Sequence, residues 1–269
     1  MDNWTVETVN WAQESSLSLL VFFAEKTLSF STYSKNQRSF LSHHSFPLLQ
    51  SKSIAESCNQ AYLKLPYQRA DFLETKVGFY SPFVTLFPAA IDNESIQKIF
   101  AFEHGITEEA CKMMRIKSSN LGKLAFILPE EASAWALQKF NAPEFYPSRE
   151  LSLNFAMQVK SKDMLLLIIQ DDAIELIVKT KGVLQFHNHF KVNTTEDILY
   201  YSLYGLDKLG INKDSISAYI AGNINAPEID LAEIKRFLNI KIAHQEHDFG
   251  CPKELNANYF SSFQLLLCE

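Results

Sequence analysis

Glycine is scarce in this chain, with 8 among 269 residues. Loops that cradle phosphate bring backbone N–H groups close to the ligand, and glycine is the residue that permits the approach. A shortage of glycine therefore leaves little room for such loops. The one G-x-x-x-x-G spacing, Gly205 to Gly210, continues into Ile211-Asn212 where a P-loop carries Lys-Ser/Thr, and it lies inside a helical pattern. Gly205 reads instead as a small residue that lets its helix pack closely. Cysteine is also sparse: Cys58, Cys111, Cys251 and Cys268 form no C-x-x-C pair. That spacing argues against a zinc ribbon or a thioredoxin-like motif and fits reduced thiols in a cytoplasmic protein. The first sixteen residues hold no Lys or Arg, so no signal peptide is expected, and the apolar run from Leu17 to Ala24 is too short to span a bilayer. A net charge of −6 lacks the basic footprint of a nucleic-acid binder. There is no G-x-S-x-G elbow and no local Cys/His signature for a nucleophile. Cys58, on the inward side of its helix, and Cys268 read as small packing residues.

What the chain does have is a pattern that occurs twice. LLLIIQDDAIELIVKTKGVLQFHNHF, Leu165 to Phe190, alternates, breaks at polar residues, and alternates again. LLVFFAEKTLSFSTYSKNQRSFLSHHSF, Leu19 to Phe46, does the same. Laid over each other, Leu20 to Phe23 matches Leu166 to Ile169, Glu25-Lys26 faces Asp171-Asp172 at the first turn, and Leu28 to Phe30 matches Ile174 to Leu176. Both third strands end in a histidine-bearing piece, Ser42 to Phe46 and Phe186 to Phe190. Apolar alternation and β-branched or aromatic content between turn residues predict three-stranded meanders. The nearly continuous apolar first strands fit strands covered on both faces.

After the second meander a helix is predicted from Thr194, with Asp197 as a capping-box partner, Leu199, Leu203 and Leu206 inward, and Gly210 closing it. A strand over Ser215 to Ala221, a helix opened by Pro227 with Leu231, Ile234, Phe237 and Leu238 on one side, and a short strand over Asn239 to Ala243 follow. After the first meander the pattern predicts a helix over Ser51 to Leu65 and strands over Phe72 to Phe79 and Val84 to Phe87. It then predicts a polar helical stretch over 92–120, a strand over Leu124 to Leu128 and a helix over Glu130 to Phe140. NAPEFYPSRE, Asn141 to Glu150, carries two prolines and reads as a boundary. The helix-like NYFSSFQLLL near the end is apolar enough to dock. A β-β-β-α-β-α(-β) plan used twice predicts an α/β protein with two ribonuclease H-like lobes, mixed sheets flanked by helices. The lobes would span 1–145 and 146–245, with 246–269 a tail packing back on a lobe. Strands joined by helical crossovers should be parallel.

SLSLLVFFAEKTLSFSTYS near the start, VTLFP at Val84 to Pro88, LAFILPEEASAWALQKF at Leu124 to Phe140 and the closing LLLCE resemble a bacterial family of unknown function, the domain-of-unknown-function 3822 group. The resemblance covers essentially the whole chain and rests on strand and packing patterns. It implies the actin-like ATPase fold shared by actin, sugar kinases and heat-shock ATPases. It carries over no catalytic residues, because none are established for the family.

In such a fold two hairpin turns grip the phosphates, usually as Asp-x-Gly-Ser/Thr, and a glycine-rich loop holds the adenosine. Here the first turn, Phe23 to Thr27, has neither Asp nor Gly. In the second, Gln170-Asp171-Asp172-Ala173, Ala173 stands where the glycine would be. The adenosine loop would be Gly222-Asn223-Ile224-Asn225, with one glycine. Asp171, Asp172, Lys26, Gly222 and Asn223 are thus the candidate cofactor-binding residues. The preferred expectation is a degenerate site with no cofactor, no catalytic residue and no bound metal, in a protein that works by binding a protein partner as a scaffold. The alternative is a kinase or ATPase with an atypical phosphate grip. A nuclease needs clustered acids in the first strand; Leu19 to Phe23 and Leu165 to Ile169 have none. His187 and His189 share a strand face, and His244, His247, Asp248 and Cys251 are ligand types at loop spacing, but neither set matches a standard zinc motif. Tyr200 to Gly205 and Gly78 to Phe83 read as aromatic core and lobe interface, with a peptide-docking patch as the alternative. No nucleic-acid partner and no membrane insertion are expected.

Overall fold

The computed structural model describes residues 3–6, 9–11, 13–49, 51–68, 70–111, 113–170, 172–243, 260–266 and 268. The chain divides into two compact units, Met1–Thr32 with Ser42–Glu150, and Tyr33–Leu41 with Leu151–Glu269.

The sheet of the first unit is formed by strands β1 (Trp4–Thr5), β2 (Leu17–Phe23), β3 (Thr27–Ser34), β4 (Ser39–Pro47), β5 (Phe72–Phe79) and β9 (Glu144–Pro147), of which the β3–β4 tip, Tyr33–Leu41, is grouped with the second unit. Their order in the sheet is β1-β4-β3-β2-β5-β9. All seven residues of β2 are buried, as its unbroken apolar run requires of a strand covered on both faces. β5 runs parallel to β2, and β9 parallel to β5. Helix α1 (Ile54–Tyr62) starts at a capping box in which the Ser53 side chain and Glu56 satisfy each other's backbone amides. It is shorter than the Ser51 to Leu65 expected. A second layer comprises β6 (Val84–Phe87), α2 (Asn93–His104), α3 (Glu108–Cys111), β7 (Met114–Ser119) and β8 (Gly122–Ile127). Its strands form a three-stranded sheet in the order β6-β8-β7, with Phe87, Ile96, Phe100, Cys111 and Ala125 buried together. Helix α4 (Glu130–Lys139) then leads to β9 and to α5 (Ser148–Gln158).

One expectation fails in this unit. The stretch 92–120 is not all helical: MRIKSS forms β7, which among the described residues is an edge strand paired with β8 alone. Its weak alternation is what an edge strand with polar neighbours looks like. Asn141 to Glu150, at whose end the two units part, also holds β9 and the first turn of α5. Pro147 ends β9 on the sheet's edge, where a missing N–H costs no ladder bond.

The second unit comprises β10 (Met164–Ile169), β11 (Ala173–Thr180), β12 (Val183–Lys191), α6 (Thr195–Lys208), β13 (Ser217–Gly222), α7 (Leu231–Phe237), β14 (Ile240–Ile242) and α8 (Phe260–Leu266). Its sheet runs β12-β11-β10-β13-β14, with β10, β13 and β14 mutually parallel. This is the order of β4-β3-β2-β5-β9 in the first unit. One face packs on α6 and α7 through Leu165, Leu167, Leu176, Ile198, Leu206 and Ile234; burying each such side chain is worth roughly 1.5–3 kcal/mol. α6 is capped by Thr194 with Asp197, as expected. A Cβ on Gly205 would meet Leu176 Cδ2 at 3.0 Å, which is the close packing anticipated for that residue. α7 begins at Leu231 rather than Pro227, with Asp230 accepting from the Ala232 and Glu233 amides, and Phe237 is exposed instead of inward. Tyr200 and Tyr204 are also exposed rather than core, while Tyr201 stacks on Phe190. Of the apolar tail, Phe260–Leu266 is helical, and Phe260 meets Phe155 of α5 edge-on at 4.9 Å. Among the described residues no helix is long and apolar enough to cross a membrane.

Candidate functional site

Two hairpins occupy the places where this topology offers a phosphate grip. In the first unit the β2–β3 hairpin is fixed by three backbone hydrogen bonds. The Ala24 N–H donates to Thr27 O at 2.9 Å, the Leu48 N–H to Lys26 O at 2.8 Å, and the Tyr80 N–H to Phe23 O at 2.7 Å. In the second unit the β10–β11 hairpin makes the same three. The Gln170 N–H donates to Ala173 O at 2.8 Å, the Val192 N–H to Asp172 O at 2.9 Å, and the Asn223 N–H to Ile169 O at 3.0 Å. Among the described residues, the non-glycine ones with left-handed backbones are Arg38, Ala142 and Lys181. Glu25, Lys26 and Ala173 are not among them. A nest of successive amides aimed at an anion needs alternating right- and left-handed residues, and these described turn positions supply no left-handed member.

Gly222 and Asn223 meet the end of β10 at Ile169, and Asp172 follows in the β10–β11 turn. Gly222 stands in register with Ile169, and the following Asn223 amide closes on the Ile169 carbonyl. Gly222 has φ +86°, and a Cβ there would lie 2.1 Å from Ile169 O. Its freedom is thus consumed by the approach of one strand end to another. The Asp172 carboxylate has Lys191 Nζ at 3.5 Å. Lys26 belongs to the first unit's hairpin, and Asp171 lies outside the described residues.

The histidines are drawn into the sheets. His43 is fully buried on β4, with Nδ1 2.8 Å from Ser31 Oγ. Burial, reinforced by the neighbouring His44, pushes its pKa down to about 3, so it is a neutral core histidine. His44 shares a 3.1 Å hydrogen bond with Thr5 Oγ1. His187 Nε2 lies 2.7 Å from Glu175 Oε1, and the other Glu175 oxygen accepts from Ser152 Oγ at 2.7 Å. His189 donates its backbone N–H to the Asn188 side chain. Among the described residues no three His, Cys, Asp or Glu side chains gather closely enough to hold a metal ion, and His244, His247, Asp248 and Cys251 lie outside those residues.

The Ser152–Glu175–His187 cluster was missed in the sequence, although β11 carries a visible signal. In AIELIVKT, two ionisable residues interrupt a strand that is otherwise apolar, and Glu175 and Lys179 are 1% and 2% exposed. Lys179 Nζ donates to the Ala156 and Val159 carbonyls at the end of α5, where a cation suits the helix dipole, and burial lowers its pKa. Glu175 stands between the serine and the histidine, so the imidazole is held by the carboxylate and cannot take the Ser152 proton. The order rules out a Ser–His–acid relay, in which histidine is central, and leaves a polar clip fixing α5 to the sheet. Cys58 is fully buried and its thiol is pushed up to about 12 by burial, which excludes a thiolate at neutral pH.

Sheet order, the paired hairpins and the crossovers define a protein of the actin-like ATPase fold. A Bacteroides thetaiotaomicron protein described as having an actin-like ATPase fold and unknown function superposes with a TM-score of 0.78 at 17% identity, over 97% of this chain and 100% of the other. The PilM–PilN type IV pilus biogenesis complex matches with a TM-score of 0.58 at 11% identity, over 93% of this chain and 97% of that one. The chain belongs to the family described as "Protein of unknown function (DUF3822)", whose model matches residues 7–240. No significant match was found among curated proteins.

Proposed function

We propose that this protein is a non-catalytic member of the actin-like ATPase fold that acts by binding another protein, its two lobes an internal duplication whose phosphate grips have degenerated. The observation that carries the reading is the hairpin geometry. Both turns spend the same backbone groups on neighbouring strands, and Gly222 serves the Ile169 carbonyl. A triphosphate with magnesium would find at the second hairpin a carboxylate beside Lys191 and, at the described turn positions, no left-handed amide. These residues do not fit the group. The duplication is supported by the shared strand order and the three matched hydrogen bonds. A protein-binding role is in keeping with the complex that names PilM together with PilN, since one fold serves many functions. The lobes are taken as 1–145 and 146–245, followed by the tail.

A second reading, an ATP-dependent enzyme with an atypical grip, is favoured by the placement of Asp172 just past β10 and of Gly222 and Asn223 at the matching end of β13. Phosphate release from ATP by the purified full chain, compared with Asp171→Ala/Asp172→Ala, separates the two. The proposal expects background release from both. Release by the wild type that the double variant loses would establish the enzyme.

A further inference from the structure

Helix α6 carries a row of side chains that the fold does not use. Ile198, Leu199, Ser202, Gly205 and Leu206 lie on its buried side. On the opposite side Glu196, Tyr200, Tyr204 and Lys208 follow one another at steps of four residues, which sets them in one line along the helix. All four are exposed, Tyr200 at 60% and Tyr204 at 48%. The two rings are stacked 10° from parallel with centroids 5.6 Å apart. Tyrosine has a lower helix propensity than alanine, lysine or glutamate, so neither the helix nor the core accounts for this pair. Rigid, amphipathic rings are the side chains that binding surfaces favour.

Charge along the row selects the partner. Glu196 stands one turn before Tyr200, and Asp207, also exposed, stands three residues after Tyr204. Among the described residues neither carboxylate enters an ion pair. Asp197 differs, its carboxylate accepting from the Asn193 and Thr194 amides at 2.9 and 3.1 Å. Lys208 Nζ lies 5.1 Å from the centroid of the Tyr204 ring, so the chain itself already sets a cation on one of these rings. The row thus offers ring faces that attract cations and two free carboxylates against one engaged lysine. Its complement is a basic segment. A second copy laid antiparallel would bring Glu196 to Lys208 but set Asp207 against Asp197, and it would supply no new cation to the rings.

We propose that the Glu196, Tyr200, Tyr204 and Asp207 face of α6 is a docking site for an extended basic segment of another protein, with an arginine laid on the tyrosine rings and the two carboxylates holding its guanidinium and a second cation. Arginine fits better than lysine, because its planar guanidinium stacks on a ring while pairing with a carboxylate. Glu196 and Asp207 are about 16 Å apart along the helix axis at about 1.5 Å per residue. An extended chain covers that distance in about five residues, which fixes the spacing of the two basic residues. The inference rests on the protein-binding reading above and gives the partner a chemistry.

Selection on the full chain from a library of short random peptides displayed on phage tests it. Enriched peptides should carry two Arg or Lys about five residues apart. The synthesised peptide should bind the chain in calorimetry, with an affinity that falls as salt rises. Tyr200→Ala combined with Tyr204→Ala should weaken binding about tenfold, and Glu196→Lys combined with Asp207→Lys should abolish it. Lys208→Ala, which frees the Tyr204 ring, should tighten it. These positions are exposed, and unchanged circular dichroism would show that the variants fold. A selection that enriches nothing, or enriches acidic or uncharged peptides, would overturn the proposal. Basic peptides whose binding ignores the α6 variants would also overturn it, while leaving the protein-binding reading in place.

Discussion

Gly222→Ala tests whether that glycine is spent on structure. Two costs arise at once. An L-residue at φ +86° pays about 1–2 kcal/mol for left-handed geometry. The new Cβ would also lie 2.1 Å from Ile169 O and 3.0 Å from Ile169 C, a backbone collision that no rotamer relieves. The end of β13 must move off β10, which strains packed strands at about 1–3 kcal/mol and threatens the 3.0 Å Asn223–Ile169 bond, worth about 0.5–1.5 kcal/mol. The total is about 2.5–6.5 kcal/mol. Gly210→Ala is the internal control: its φ is +66°, and a Cβ there meets nothing within 4 Å, so only the conformational cost of about 1–2 kcal/mol applies. Urea unfolding followed by far-ultraviolet circular dichroism at constant m-value reads both. Equal costs at the two positions would refute the reasoning and leave Gly222 free for another purpose.

Acid should weaken the fold through His43. Its pKa falls from the ordinary 6.5 to about 3, so the unfolded chain takes up a proton below pH ~6.5 that the native chain refuses. Its stabilising effect is complete above that pH and is lost progressively toward pH 3, by up to roughly 5 kcal/mol; urea midpoints should show a steep acid limb that His43→Phe flattens. Glu175→Ala strands the His187 and Ser152 partners in a buried site and should cost about 3–5 kcal/mol, with Glu175→Gln costing less; near-equal losses from the two variants would deny the clip its charge. Cys58, its thiol pushed up to about 12, should resist alkylation at pH 8 in the native chain and react once unfolded, as peptide mapping would show.

The meanders were legible because their strands alternate between turn residues, and the overlay of Ser42 to Phe46 on Phe186 to Phe190 is the register that the hydrogen bonds display. β7 and β9 were not legible. Each is short and paired along one edge, β7 polar and β9 only four residues ending in a proline, so neither shows a periodicity of its own. Tyr200 and Tyr204 misled because an aromatic at helical spacing looks the same on either side of a helix. At the candidate site, the residue types at the hairpins could be read in advance, but the reason for Gly222 could not. The approach of Ile169 O is a contact between strands more than fifty positions apart, and no local pattern records it. The Glu175 and Lys179 interruptions of β11 were visible, yet their partners lie on α5, an element hidden by the prolines before it.

Thermal unfolding of the full chain with and without Mg-ATP addresses the central claim most directly. A nucleotide at about 100 times its dissociation constant would stabilise the native state by about 2.7 kcal/mol. The account predicts an unchanged midpoint at millimolar Mg-ATP. An upward shift that Asp171→Ala/Asp172→Ala abolishes would contradict it.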